Sequence, residues 1–163
     1  MKSECKYSFL EAKAKLEALC AYQERCQYEL QQKLYSWGID REDSDRLISD
    51  LIQNNFLNEE RFVSSFVSGK FRIKKWGRIK IKAELKQRHI SSYSIQKGLS
   101  EIDPDDYWKS LLHLARKKLK DLYKAKDIWD KKVKLNRFLQ SKGYESDLIN
   151  DAIEEVLKEQ QTS

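Results

Sequence analysis

The sequence contains few of the residues that make tight turns, since its 163 residues include one proline and five glycines. An all-β sandwich or barrel depends on many such turns, so that class of fold is excluded. The composition, 40% hydrophobic and 36% charged, is typical of a soluble protein. No run approaches the roughly 18 apolar residues that span a bilayer, and the first residues lack the apolar run of a secretion signal. We therefore expect an all-α protein in the cytoplasm, without a membrane partner.

Residues that perform catalysis or hold metal ions are also scarce. The chain has two histidines, His89 and His113, and it has no Gly-rich phosphate loop, Gly-x-Ser-x-Gly or His-Glu-x-x-His motif. Its three cysteines, Cys5, Cys20 and Cys26, cannot all pair with one another and show no Cys-x-x-Cys spacing. We interpret them as reduced thiols. The sequence thus predicts no catalytic residue, no cofactor and no metal site.

Start and stop signals along the chain predict nine helices. Ser8 followed by Glu11 is a capping box, and Gly38 is the favoured residue just after a helix. Asp103-Pro104 combines an N-cap with a proline at the first helical position. The first three helices are predicted over about residues 9–22, 27–37 and 41–54. Further N-caps are predicted at Asp40, at Asn58, and at Ser91 or Ser92.

The helices form an internal repeat. Aligning Leu34 with Leu85, and Leu85 with Leu139, gives offsets of 51 and 54 residues. Because units of about 50 residues bury little core by themselves, three tandem three-helix repeats should form an elongated, curved array. The alternative is that three weakly similar units fold into one compact bundle. The register aligns the residues that follow the middle helices, which are Gly38, His89 and Gly143. The predicted repeats cover residues 1–57, 58–102 and 103–163.

Basic residues concentrate in one segment of a chain whose net charge is +6. Between residues 70 and 88 there are nine basic residues and one acid, Glu84. Lys82 and Lys86 lie one turn apart on a predicted helix, and amides exposed at its start near Gly77 would add donors for a phosphate. A solvated helix face is the alternative. The predicted nucleic-acid contacts are Lys70, Arg72, Lys74, Lys75, Arg78, Lys80, Lys82 and Lys86.

A second basic run lies between residues 116 and 137, with ten basic residues and three acids. Because the acids are interleaved, a solvated helix face explains this run equally well. Other acids collect in separate segments, which favours a two-sided molecule that could meet both a phosphate backbone and a protein. The candidate residues of this secondary basic patch are Arg116, Lys117, Lys120, Lys131, Lys132 and Lys134.

Aromatic rings offer another kind of nucleic-acid contact, because a ring can stack on a base. Trp76 lies in the middle of the first basic segment, yet a tryptophan between two helices is more often a packing anchor. We expect the four tryptophans and the eight tyrosines to belong to the core between helices. The tryptophans are Trp37, Trp76, Trp108 and Trp129.

Four segments follow one another along the chain: Glu29-Leu30-x-x-Lys33-Leu34-x-x-x-Gly38, the run Asn55 to Phe62, the run Gly77 to Leu85, and Lys134 to Leu139 followed by Gly143-Tyr144. Their succession, within about residues 10–157, resembles the signature segments of the RecX family. The chain departs from that pattern at caps and turns. It has Cys26 where the family commonly has a serine N-cap, Asn55 and His89 where it has glycine, and Arg78 where it has proline.

The resemblance implies a bacterial regulator of three tandem three-helix repeats that binds the RecA recombinase filament on DNA and inhibits its activities, namely ATP hydrolysis and strand exchange. The expected partners are RecA and single-stranded DNA, and the chain is expected to be a cytoplasmic monomer without enzymatic activity. A second hypothesis is an autonomous DNA- or RNA-binding protein that needs no recombinase. A third is a nuclease that uses pairs of acids and Mg²⁺, although stabilisation of the helix dipole already explains acids at helix starts.

Overall fold

The computed structural model of the protein describes residues 4–162, and over this range it contains helices and short connections but no strand. We propose residues 57 and 102 as the ends of the first and second repeats. The helices are α1 (Phe9–Tyr22), α2 (Gln27–Ser36), α3 (Arg41–Gln53), α4 (Glu59–Arg72), α5 (Arg78–Gln87), α6 (Ser92–Ser100), α7 (Pro104–Asp121), α8 (Ile128–Ser141) and α9 (Ser146–Thr162).

Short polar side chains fix where most helices begin. The Ser8 hydroxyl accepts the amide of Glu11, and the Asp103 carboxylate accepts two amides at the start of α7. These bonds satisfy amides that have no partner inside the helix, which confirms the predicted starts. Cys26 makes no side-chain cap bond, as expected of a poor acceptor. The other predicted caps are confirmed at Asp40, Asn58 and Ser91.

The three middle helices, α2, α5 and α8, end in the same way. The second residue after each has a left-handed backbone, with φ of 76° at Gly38, 57° at His89 and 93° at Gly143. In each repeat the next amide then donates to the carbonyl five residues earlier, a helix-ending bond that satisfies a terminal carbonyl. The donors are Ile39, Ile90 and Tyr144, and the acceptors are Leu34, Leu85 and Leu139. The predicted repeat register is therefore confirmed.

The buried residues form two separate cores. Repeat 1, made of α1 to α3, has its own core, in which Leu16 and Leu34 are fully buried. Repeats 2 and 3, made of α4 to α6 and α7 to α9, share one continuous core that includes Leu85 and Leu139. Cys26 is the buried residue of repeat 1 that belongs to this larger core. Repeats 2 and 3 thus form one packed body to which repeat 1 is joined.

The molecule is an elongated helical repeat array. Its accessible surface is 10,872 Å², whereas a compact monomer of this mass would expose about 8,500 Å². The excess arises because helices pack mainly within their own repeats and leave the outer faces of each repeat in solvent. The compact-bundle alternative is therefore wrong. Among the described residues no helix is both long and apolar enough to cross a bilayer.

Candidate nucleic-acid interface

The first basic segment covers the end of α4, the α4–α5 connection and α5. On α5, Ile81 and Leu85 are fully buried, which turns Lys82 and Lys86 to solvent. Two further cations are exposed, Arg72 at the end of α4 and Lys74 in the α4–α5 connection. Within residues 4–162 none of these four cations makes an ion pair, so their charges are available to a ligand. We call this set the exposed basic face: Arg72, Lys74, Lys82 and Lys86.

Lys70 and Lys80 lie over the ring of Trp76. Their Nζ atoms are 4.9 and 4.5 Å from the ring centre, and the Lys70 ammonium is also 5.4 Å from the centre of the Phe66 ring. Trp76 is half-buried against the larger core. The structure therefore favours a packing role for Trp76 over base stacking, because the core and the two ammonium groups take the space around its ring that a base would need.

Arg78 interacts with residues of repeat 3. Its Nη1 atom is 2.5 Å from a carboxylate oxygen of Glu145, and its guanidinium carbon is 3.9 Å from the centre of the Tyr107 ring. The Tyr107 hydroxyl accepts the Arg78 amide at 3.1 Å and donates to Glu145. Burial, together with the hydrogen bond to Glu145, raises the pKa of Tyr107. The charge of Arg78 is thus balanced inside the junction between repeats 2 and 3.

The amides at the start of α5 are not exposed. The Gly77 amide donates to the Lys142 carbonyl at 2.7 Å, and the Ile79 amide donates to the Gly143 carbonyl at 2.9 Å. The prediction that these amides would bind a phosphate is therefore wrong, because the carbonyls of the two residues that follow α8 already accept them. The sequence could not show this, since the two helices meet only in the folded chain.

Tyr144 fixes the connection that leads into α5. It is buried, and its hydroxyl donates to the Lys75 carbonyl at 2.9 Å and lies 3.1 Å from the Ser110 hydroxyl. Lys75 has a left-handed backbone with φ of 60°. Burial raises the pKa of Tyr144. The hydrogen bond stabilises an unfavourable backbone conformation, and so it holds Lys74, the preceding residue, at the surface.

The secondary basic patch is divided between paired and unpaired cations. Arg116 binds Glu159 through two hydrogen bonds of 2.8 and 2.6 Å, which lower the pKa of that carboxyl. Lys134 pairs with Asp130 at 3.1 Å and lowers the pKa of Asp130 in the same way. In the part of the chain that the structure describes, the other four candidates form no ion pair: Lys117, Lys120, Lys131 and Lys132.

The expectation that all tryptophans and tyrosines belong to the core is only partly correct. Trp37, Trp76 and Trp108 pack against the two cores. Trp129, near the start of α8, is 73% exposed, so the prediction is wrong for this residue. Its position could have shown this, because it lies outside the stripe of α8 that buries Leu135 and Leu139. Four tyrosines are likewise exposed: Tyr22, Tyr35, Tyr93 and Tyr123.

The cysteines are free thiols in different environments. Cys5 is exposed, whereas Cys20 and Cys26 are buried, and burial raises the pKa of both thiols. A raised pKa lowers the fraction of reactive thiolate. Across residues 4–162 no three side chains of His, Cys, Asp or Glu lie together in a way that could hold a metal ion.

Comparisons with known proteins agree with this fold. Family models for the second and third three-helix domains of RecX match residues 58–99 and 105–153. The regulatory protein RecX of Vibrio campbellii is 35% identical over 127 residues, which cover 78% of this chain and 79% of that protein. The regulatory protein RecX of Clostridium botulinum strain Eklund 17B is 36% identical over 130 residues, or 79% of this chain. The matched region spans only 60% of the length of that relative.

The solved structures show the same architecture. The crystal structure of RecX from Lactobacillus salivarius has a TM-score of 0.79 and covers 91% of this chain and 96% of that one, at 23% sequence identity. A second crystal structure of a regulatory protein RecX has a TM-score of 0.75 and covers 88% of this chain. The likeness supports the arrangement of three tandem repeats.

Proposed function

Because this chain belongs to the RecX family, we propose that it is a regulatory protein that binds the RecA–DNA filament and inhibits the recombinase, both in ATP hydrolysis and in strand exchange. The observation that carries the proposal is the exposed basic face on the middle repeat of a chain with this ancestry. Relatives named as regulatory proteins support binding, rather than catalysis, as its mode of action. We propose that it works as a monomer in the cytoplasm.

The exposed basic face is suited to the phosphate backbone of DNA. Lysine and arginine side chains bind phosphates without reading sequence, and they gain affinity through the release of counterions. A regulator that acts all along a filament needs this independence from sequence. The junction with repeat 3 holds α5 rigidly behind Lys82 and Lys86, so these cations lose little conformational freedom of the backbone when they bind.

A second surface is required for the recombinase itself. Acidic side chains collect on other helices, for example in the first turn of α3 and along α9. Two weak contacts on one elongated body, one with DNA and one with recombinase, give high apparent affinity for the composite filament. Neither naked DNA nor free recombinase offers both contacts.

An order-of-addition experiment tests the proposal. Recombinase, ATP and single-stranded DNA are assembled first, the purified protein is then added, and ATP hydrolysis is followed. We expect inhibition at protein concentrations well below those that saturate the same DNA when it is naked. If prior assembly of the filament abolishes the inhibition, the proposal is wrong.

The alternative function is autonomous binding to DNA or RNA. The exposed basic face favours it, because that face needs no second protein to bind phosphates. Such a competitor would inhibit the recombinase only by covering the strand first. The same order-of-addition experiment therefore separates the two functions.

A further inference from the structure

Trp129 is an exposed tryptophan without a packing role. It lies at the second position of α8, is 73% exposed, and belongs to neither hydrophobic core. Trp76 has two ammonium groups near its ring, whereas no cation of the described residues lies over the ring of Trp129. Most of the surface of this indole is therefore open to a ligand.

The outer face of α8 continues from this ring as a polar and cationic stripe. Its members recur every three or four residues along α8, with two pairs of adjacent residues, so they lie on one side of the helix. The stripe is about 16 Å long, close to the length of four or five stacked nucleotides at about 3.4 Å each. Its residues line a shallow depression of about 390 Å³: Trp129, Lys132, Val133, Asn136, Arg137 and Gln140.

The charges beside the ring are available to a ligand. Lys132 and Arg137 are exposed, and within the described range neither forms an ion pair. The nearby acids are engaged locally, because Asp130 binds Lys134 and Asp127 caps the start of α8. The stripe thus presents one open aromatic ring and two unpaired cations.

We propose that the outer face of α8 is a binding site for single-stranded nucleic acid, in which a base stacks on Trp129 while Lys132 and Arg137 contact phosphates. An unpaired base has a free face for the indole, whereas bases in a duplex already stack on their neighbours. The side-chain amide of Gln140 can hydrogen-bond base edges or sugar, whereas the Asn136 amide nitrogen already donates to Asn150 at 3.5 Å. Lysines are depleted at protein–protein interfaces, so their abundance around Trp129 favours a phosphate-bearing partner.

This site deepens the proposed function, on which it rests for its role in the cell. It lies on repeat 3, while the exposed basic face lies on repeat 2. Together they would bind the strand at two places, one by charge alone and one by charge and stacking. The stacking contact gives the molecule a preference for single strands, which charge alone does not provide.

The test is the affinity of the full chain for a dye-labelled oligothymidylate, measured by fluorescence anisotropy without recombinase. A length of about 20 nucleotides exceeds the site of roughly 4–16 nucleotides typical of single-strand binding modules. The variants are Trp129→Ala, Trp129→Phe and, as matched control, Tyr93→Ala. Tyr93 is 70% exposed and also occupies the second position of its helix, beside the Lys97–Glu60 ion pair. A duplex of the same length is the second ligand.

We expect Trp129→Ala to weaken oligothymidylate binding by between about 5-fold and about 150-fold, the range for loss of one stacked base. Trp129→Phe should retain part of the affinity, and Tyr93→Ala should retain all of it. The salt dependence should be unchanged in Trp129→Ala because no phosphate contact is lost. Duplex affinity should also be unchanged.

Two results would overturn the proposal: unchanged affinity in Trp129→Ala, or an equal loss of affinity for single strand and duplex. Unchanged DNA affinity together with loss of inhibition of the recombinase would identify the face as a protein-docking surface. Binding that depends on Trp129, without any effect on recombinase, would support this site and contradict the proposed function. If the protein inhibits recombinase but its DNA binding does not depend on Trp129, the proposed function is supported and this site is contradicted.

Discussion

A side chain on Gly77 would place its Cβ atom 2.4 Å from the carbonyl oxygen of Gly143. Repeats 2 and 3 therefore meet backbone against backbone at the start of α5 and the end of α8. The absence of a side chain at Gly77 permits its amide to donate to the Lys142 carbonyl at 2.7 Å. This contact decides how α5, with Lys82 and Lys86, is oriented relative to repeat 3.

The first prediction concerns this contact. Gly77→Ala should lower the free energy of unfolding by about 1–3 kcal/mol, because the new methyl group overlaps backbone atoms that cannot move aside easily. Its φ of −82° suits alanine, so the cost is steric rather than conformational. The control is Gly69→Ala, where the added Cβ has no atom within 4 Å apart from the neighbouring backbone of its own helix. That change should stabilise α4 by about 0.5–1 kcal/mol. Urea unfolding measures the stability of both variants. Equal free energies of unfolding for Gly77→Ala and Gly69→Ala would contradict a close backbone contact at Gly77.

The second prediction separates Arg78 from the exposed basic face. Arg78→Ala should lower the free energy of unfolding by about 1–3 kcal/mol, since Glu145 and the Tyr107 ring both lose a partner. Lys82→Ala should change stability by less than about 0.5 kcal/mol because its side chain is exposed. A double-mutant cycle of Arg78→Ala with Glu145→Ala should show a coupling energy. Additive effects of the two changes would show that the pair contributes nothing.

The third prediction concerns DNA binding by α5. Lys82→Gln together with Lys86→Gln should lower the slope of log affinity against log salt by up to about 0.7 per lost contact with a single strand. The control neutralises Lys13 and Lys97, which are paired with Asp50 and Glu60. Both double variants remove the same net charge. Equal slopes in the two variants would mean that α5 has no specific contact with phosphates.

The sequence predicts local features of this fold well because their causes are local. Ser8, Asp40 and Asp103 cap helices through bonds to amides two or three residues away. The repeat register makes Gly38, His89 and Gly143 equivalent, and all three have a left-handed backbone even though one of them is not glycine. Such signals depend on neighbours in the sequence and are readable there.

The role of each cation could not be predicted in this way. Arg78 and Lys82 are one helical turn apart and are chemically similar in the sequence. Arg78 differs because Glu145, which is 67 residues away, lies beside it in the fold. A charge count treats the two residues alike, so the nine basic residues between 70 and 88 overstate the charge that a ligand meets. The exposure of Trp129, in contrast, could have been derived from the periodicity of α8.

The fourth prediction is a loss of stability at alkaline pH. Burial raises the pKa of Tyr107, Tyr144 and Cys26 above ordinary values of 10.0 for tyrosine and 9.0 for cysteine. The folded state therefore holds these protons more tightly than the unfolded state does. The stabilisation is complete below about pH 9 and falls as the pH rises toward the folded-state pKa values, by up to about 1.4 kcal/mol per group and pH unit.

Urea unfolding between pH 8 and about pH 10.5 checks this dependence. Tyr107→Phe should make the decline less steep because one of the titrating groups is removed. Tyr93→Phe, a change at an exposed tyrosine, is the control. An identical pH dependence in wild type and Tyr107→Phe would contradict the prediction.

The fifth prediction is that repeat 1 unfolds separately from repeats 2 and 3. Of the described residues of repeat 1, only Cys26 and the half-buried Tyr28 pack into the larger core. The remaining links include two ion pairs of 3.1 Å, Arg61–Glu24 and Arg88–Glu29, whose side chains are between 26% and 38% exposed. Ion pairs with such exposure contribute about 0–1 kcal/mol each. Repeat arrays with weak interfaces unfold in parts.

Leu34 and Leu85 test this independence because they occupy equivalent positions, and both are fully buried. Truncation of either leucine to alanine should lower the free energy of unfolding of the core that contains it by about 2–5 kcal/mol. In native-state hydrogen exchange, Leu34→Ala should speed exchange in α1 to α3 and leave α7 to α9 unchanged. Leu85→Ala should speed exchange in α4 to α9 together, since repeats 2 and 3 share one core. If Leu34→Ala instead speeds exchange equally in all the described helices, the chain unfolds as a single cooperative unit, and the division into two cores has no energetic meaning.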